Sequence, residues 1–471
     1  MESVDLVIKN EFKNLPEDFW DFKESSTRDL THGLHYYPAT MVYPISQNIL
    51  KIVKKHTSVM TLMDPFMGSG TVLVEGMLAD IPLIYGTDLN PLAVLMSKVK
   101  TTILSDEQLA TINDFKETLK SIEDKANLAA DDFDNYIKNI LKLDITAKRG
   151  WGDNADRYIS EYFKNKNKKF NYQSFLNLGF WFTPRAIILL QTIKNQIKRI
   201  EDSGVRDFLL LAFSEVVRIV SNTRNGEFKL FRMQAEKVAV FMPNVFVEFY
   251  KILDRNVSKM REFIKVCTTT SAVTISFDDT RKLDTIPDNS VDLVITSPPY
   301  GDSRTTVAYG QFSRLSLQWL DLDCTTQQYV SNIDKTLLGG KPYTHKEQWA
   351  LLQSPTLVVS LEKIAQKDVA RAADVFSFYV DLDKCLYSIT KKMKKGGYQF
   401  WVVGNRTVKL EKLLTDKIIE EMAVKYGLKH LFSFNRKIIN KVMPSVNSPT
   451  NETGARVKTM TAEIIVVLKK E

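Results

Sequence analysis

Residues 59–99 read VMTLMDPFMGSGTVLVEGMLADIPLIYGTDLNPLAVLMSKV. The run Val59–Met63 is short and apolar and ends at Asp64-Pro65. Two glycines follow, then TVLVEGMLA (71–79), whose apolar residues recur at helical spacing. A second short run, PLIYGTD (82–88), meets Asn90-Pro91 and a second helical stretch, PLAVLMSKV (91–99). Strand, turn, helix and again strand, turn, helix predict βαβ units and a parallel sheet.

Ligands of such sheets bind at the carboxyl ends of the strands, which is where Asp64-Pro65-Phe66-Met67-Gly68-Ser69-Gly70-Thr71 falls. Gly68 and Gly70 allow close backbone approach, and a helix opening at Thr71 offers free N–H groups. The phosphate-binding lysine of GxxxxGK[ST] and the third glycine of GxGxxG are both missing, which favours a small nucleoside cofactor over a pyrophosphate. Asp88 ends the second strand, where such sheets carry an acid for ribose hydroxyls. A GxG turn alone also describes an ordinary strand–helix corner with Asp64 as a cap; turn and acid together point to a cofactor.

The alternation stops near residue 100. From there to about 265 the patterns are mostly helical, as in AIILLQTIKNQIKRI (186–200) and VRDFLLLAFSEVVRIV (205–220). Strand signals return in VDLVITSPPY (291–300), KKGGYQFWVVGN (394–405) and TMTAEIIVVLKK (459–470). One α/β sheet is therefore expected from two separated pieces, 1–100 and 271–471. A helical insertion at 101–270 interrupts them, and 321–375 is a possible second insertion. A connection as long as 101–270 predicts a subdomain rather than a bare loop.

The chain has 471 residues, 44% of them hydrophobic and 25% charged, with a net charge of +8. That composition suits a globular protein with a sizeable core and excludes wholesale disorder. Cys267, Cys324 and Cys385 stand far apart and away from the five histidines, so neither a disulfide framework nor a Cys/His metal site is expected. No signal peptide and no membrane span is legible, and the expectation is a cytoplasmic protein. Positive charge is concentrated: residues 391–471 hold 17 basic and 7 acidic side chains, and 161–200 hold 8 basic and one acidic. Such clustering suits a polyanion, and equally a solvated lysine-rich surface.

Ser297-Pro298-Pro299-Tyr300 follows a buried strand. Two prolines stiffen the turn and remove donors while leaving carbonyl acceptors. Such a turn can accept the amino hydrogens of an extruded base beside an aromatic face, or it is a proline corner with a packed tyrosine.

Together, DPFMGSGT, GTDLNPLA and TSPPYGDS resemble the amino-group DNA methyltransferases, which methylate cytosine N4 or adenine N6 from S-adenosylmethionine. His35-Tyr36-Tyr37-Pro38-Ala39-Thr40-Met41 resembles their HxYPAxM block, MKKGGYQFWVVGN their LKPGG…VGN strand, and FNRKIINKVMP…MTAEIIVVLKK their closing hairpin. The resemblance covers most of 31–100 and 276–471 and implies a Rossmann-like sheet, mostly parallel, with a closing antiparallel hairpin. It implies that Tyr37, Pro38, Ala39, Pro65, Phe66, Gly68, Gly70, Thr71 and Asn90 line the cofactor, with Asp64 near its methionine amino group and Asp88 on the ribose. Asp279 resembles an acid that contacts the adenine, and Asp278 fits the same role. Ser297, Pro298, Pro299 and Tyr300 would hold the target base.

An exocyclic amino nitrogen is a poor nucleophile because its lone pair is delocalised into the ring. Acceptors at Ser297 and the Pro298 carbonyl would draw its hydrogens out of plane, and direct transfer would follow through positioning and electrostatics. Carbon-5 methylation instead needs a cysteine nucleophile, usually after proline; here the three cysteines follow Val266, Asp323 and Lys384. Serine at position 297 leans the resemblance towards cytosine N4. Adenine N6 is the alternative, with protein glutamine methylation and a non-catalytic DNA-binding role as rivals from other classes. Double-stranded DNA is the expected partner, read by the insertion through Lys166, Lys168, Lys169, Arg185, Arg224, Lys229 and Arg232, with Arg304 on a loop (302–306) expected to close on the base. A cognate restriction endonuclease would be a separate protein. Neither the recognition sequence nor the oligomeric state is legible.

Overall fold

The central strand β1 (Thr61–Asp64) is buried along its whole length. It lies between β2 (Leu83–Asp88) and β4 (Val291–Thr296), both parallel to it. In the computed structural model, residues other than 1–2, 24–25, 39, 153, 168–169, 225, 303–305, 323–324, 439–445, 448–456 and 459 are described. β3 (Ala272–Phe277) extends the sheet beyond β2, and β5 (Met393–Val403) extends it beyond β4. Two-stranded pairs form between β6 (Arg406–Val408) and β7 (Glu411–Leu413), and between β9 (Val446–Asn447) and β10 (Val457–Lys458). β8 (Leu428–Lys437) and β11 (Ala462–Lys470) complete a seven-stranded sheet of order β3-β2-β1-β4-β5-β11-β8. β11 runs antiparallel to both its neighbours. The expected mostly parallel sheet with a closing antiparallel hairpin is the one found.

Side chains alternate across the strands and divide between two cores. Leu62, Ile84, Leu293, Ile295, Phe400 and Val402 face one core, while Met63, Tyr85, Val294, Trp401 and Val403 face the other. Both faces are covered, which is why these strands are near-continuous apolar runs. Helices Tyr43–His56, Thr71–Leu78 and Pro91–Thr101 contribute to the first core; Pro355–Ala365, Val369–Lys392 and Thr415–Ala423 contribute to the second.

The stretch 101–270 is helical, as expected. Its long helix Asp106–Asn135 opens with a reciprocal capping box between Ser105 and Gln108. The insertion does not form a core of its own. Helix Ser203–Ile219 packs on Pro91–Thr101 and on Tyr309–Leu320, and its buried residues join the first core without a break. Residues 321–375 likewise place Leu352, Leu357, Leu361, Ala372 and Val375 in the second core. Among the described residues no helix is long and apolar enough to cross a membrane.

Candidate active site

The strand order reverses between β1 and β4, and the residues at their carboxyl ends converge. Asp64 ends β1 almost fully buried; its carboxylate accepts the Phe66 N–H at 3.1 Å and the Thr296 hydroxyl at 2.7 Å. Burial pushes its pKa up to about 7, against those hydrogen bonds. Asp88 ends β2 and accepts the backbone N–H groups of Gly68 at 3.0 Å and Asn90 at 2.7 Å. Burial raises it to about 6. Gly68 and Gly70 have φ of +49° and +80°. A Cβ on Gly70 would lie 2.8 Å from the Ser97 hydroxyl, so glycine lets helices Thr71–Leu78 and Pro91–Thr101 approach. Ser97 also donates to the Gly68 carbonyl. Pro65 holds the loop from below, its carbonyl accepting the Thr87 and Thr280 hydroxyls. Thr71 begins the helix.

Tyr37 of the HYYPATM stretch lies beside this turn, its ring 3.7 Å from where a Cβ on Gly68 would stand. Asn90, buried and capping its helix through the Leu92 N–H, donates to the Tyr37 hydroxyl at 3.0 Å and to Ser313 at 2.7 Å. The Tyr37 ring packs against Tyr309 and Phe312, and Pro38 is buried beside it. His35 bonds the Tyr36 carbonyl and the Ser214 hydroxyl, fastening the block to helix Ser203–Ile219 of the insertion. Ala39 lies outside the described residues.

At the end of β4, Thr296 touches Asp64 and the next residue is Ser297. The Ser297 hydroxyl lies 3.3 Å from the Tyr300 hydroxyl, which donates to Glu463 at 2.8 Å. Pro298 is buried, and Pro299 and Tyr300 are half-buried. A Cβ on Gly404 would collide with Met460 and lie 2.8 Å from the Tyr300 ring, so the glycine after β5 makes room for that ring.

A type II methyltransferase of Kocuria varians, M.MvaI, is 41% identical over 95% of this chain and 93% of its own length. The chain belongs to the type II DNA methyltransferases. M.MjaII of Methanocaldococcus jannaschii is 27% identical over 45% of this chain and 43% of its own. No protein-family model matches. A solved rRNA methyltransferase, aviRa of Streptomyces viridochromogenes, superposes with a TM-score of 0.28 at 9% identity over 92% of this chain and 88% of its own, and nothing rests on it. The methyl donor of this methyltransferase is S-adenosylmethionine. One buried and one half-buried carboxylate, both held above their ordinary range with a glycine turn between them, suit a ligand that brings an ammonium group and ribose hydroxyls.

Other expected site residues of the methyltransferase have partners within the protein. Asp279 forms an ion pair with Arg281 at 2.7 Å, and Arg281 also pairs with buried Asp381 at 3.1 Å. Asp278 accepts the Thr285 N–H and hydroxyl. Both acids beyond β3 are thus engaged within the protein. Asp302 is buried between Arg371 at 3.3 Å and Arg406 at 3.4 Å, and Ser303, Arg304 and Thr305 of the expected loop lie outside the described residues.

The basic insertion residues also need correction. Arg232 donates to the carbonyls of Ile145, Thr146, Ala147 and Phe180, so it ties a loop to the short helix Leu178–Trp181 rather than facing phosphate. Arg185 is bonded to Asn127 and ion-paired with Asp131. Lys194, from the basic window, is fully buried, donates to Gln173, and is pushed down to about 8 by burial. Lys166 pairs with Asp132 and Arg224 with Glu227, but both keep about half of their side chains exposed (44% and 49%). Lys229 is half-buried, and Lys168, Lys169 and Arg304 lie outside the described residues. Sequence reasoning missed Thr296, Ser313, Tyr309, Glu463 and Arg436. Only Glu463 had a local signal, as the one acid in the apolar run AEIIVVL.

Proposed function

We propose that this methyltransferase converts a flipped cytosine in double-stranded DNA to N4-methylcytosine, protecting its sites from a cognate restriction endonuclease that is a separate protein. The observation that supports the reading is the Asp64–Thr296 hydrogen bond of 2.7 Å: Asp64, which would take the cofactor's amino group, contacts the residue next to Ser297. Bound there, S-adenosylmethionine supplies an electrophilic methyl group. Tyr37, Pro38, Ala39, Phe66, Gly68, Gly70 and Asn90 would surround it, with Asp88 on the ribose and Asp279 or Asp278 towards the adenine.

Ser297 and the Pro298 carbonyl accept the amino hydrogens of the base, and Tyr300 stacks on its ring. Pulling those hydrogens out of plane localises the nitrogen lone pair for in-line attack, so positioning and electrostatics do the chemistry. A thiolate route is opposed by Cys267 and Cys385, both buried with thiol pKa values raised by that burial. Serine rather than aspartate or asparagine at position 297 supports cytosine. Lys166, Arg224 and Lys229, with Lys168, Lys169 and Arg304, are the proposed phosphate and base contacts.

Modification-aware sequencing of DNA from a host expressing the protein tests this directly. N4-methylcytosine in one sequence context is expected. N6-methyladenine would overturn the base assignment, and no new modification would overturn the whole reading. Ser297→Ala should lower turnover at least about 100-fold, in the range of lost transition-state contacts, while S-adenosylhomocysteine binding stays within about twofold.

A further inference from the structure

The hydrogen bonds behind the SPPY turn have a direction, set by a carboxylate on another strand. Glu463 on β11 and Arg436 on β8 are cross-strand partners, and their side chains form an ion pair that is almost fully buried, 14% and 6% exposed. Arg436 is held in turn by the Trp20 carbonyl at 3.1 Å, and Asp21 accepts the Lys437 N–H at 2.7 Å. One Glu463 oxygen faces Arg436 and the other accepts from the Tyr300 hydroxyl. A carboxylate only accepts. Tyr300 therefore spends its single proton on Glu463, and its oxygen can only accept from Ser297. Burial and the Glu463 charge raise the Tyr300 phenol well above its ordinary range, so that proton is retained.

We infer that Glu463 is a positioning residue which, through Tyr300, commits the Ser297 proton away from the base and leaves Ser297 purely an acceptor for the substrate amino group. This inference rests on the base-holding role proposed for Ser297 and specifies its polarity. With its proton spent, Ser297 does not donate to a ring nitrogen. Serine and the Pro298 carbonyl then form a pair of acceptors matched to the two hydrogens of an amino group. The N-terminal segment around Trp20 and Asp21, which carries none of the recognised motifs, becomes part of the catalytic support through Arg436.

Kinetics of E463Q, Y300F, the double variant and S297A test it. A glutamine amide can donate to the Tyr300 oxygen and so reverse the chain, while phenylalanine deletes the hydroxyl and leaves the ion pair intact. E463Q and Y300F should each lose about tenfold in kcat, the worth of one hydrogen bond, with KM for DNA and S-adenosylhomocysteine affinity within about twofold. The double variant should be no slower than Y300F, because Glu463 acts only through the hydroxyl that Y300F lacks. Losses that multiply to about 100-fold, or normal turnover of E463Q, would overturn the inference. Should E463Q lose S-adenosylhomocysteine binding altogether, Y300F decides alone, and its unchanged turnover overturns the inference. Active S297A would instead refute the base-holding reading; inactive S297A beside normal Y300F and E463Q refutes only the polarity.

Discussion

Asp64 keeps a carboxylate almost out of water with two hydrogen bonds and, among the described residues, no ion pair. Its pKa is raised from 3.8 in an unfolded chain to about 7. Across that interval the folded protein holds a proton that the unfolded chain has released, so stability without cofactor falls as pH rises from about 4 to about 7. An ammonium ligand prefers the ionised acid, which gives the opposite slope for binding. S-adenosylhomocysteine affinity should therefore rise about tenfold between pH 6 and 8, and Asp64→Asn should bind weakly with no such slope; calorimetric titration across that range measures both. Gly70 makes a separate prediction. Its φ of +80° and the Ser97 hydroxyl 2.8 Å from a would-be Cβ mean that Gly70→Ala should cost about 1–3 kcal/mol, read as a lowered denaturation midpoint. The places of Gly68 and Gly70 in the turn and of Asp88 at a strand end were legible because each follows from a local strand–turn–helix pattern. Glu463 was not, because its partners Tyr300 and Arg436 lie far away in the chain and meet it only across the sheet.

Among the elements, the strands of the parallel sheet were readable from their apolar runs, since covering on both faces leaves no polar alternation to confuse the pattern. The helices of 101–270 were readable as helices but not as neighbours. The charge of an insertion says nothing about which lysines meet acids, and folding brings Asp131, Asp132 and Asp321 beside Arg185, Lys166 and Lys198. Arg232 shows the consequence. Its guanidinium donates to four backbone carbonyls, three in one loop and one in the short helix Leu178–Trp181, so Arg232→Ala should lower the melting temperature and speed proteolysis around residues 141–152. The slope of log Kd against log salt for DNA should not change, whereas Arg224→Ala should reduce that slope by about one.

For the whole molecule, the insertion and one face of the sheet share a single core. Phe213, on helix Ser203–Ile219, is fully buried with its ring 6.2 Å from that of Trp319, which belongs to the helix following the SPPY turn. Phe213→Ala should destabilise the protein by about 3–5 kcal/mol, and scanning calorimetry should still show one transition. Two separated transitions would mean that the insertion folds alone. The chain order of its motifs by itself determined the sheet, the cofactor turn and the SPPY corner, because these depend on residues within a few positions of one another. Only the tertiary structure decided that the insertion is continuous with the catalytic core, which basic residues are already neutralised, and that Glu463 and Arg436 stand behind Tyr300. Those are matters of packing and charge pairing, mostly between separate elements from 27 to 163 residues apart in the pairs named, and no local pattern encodes them.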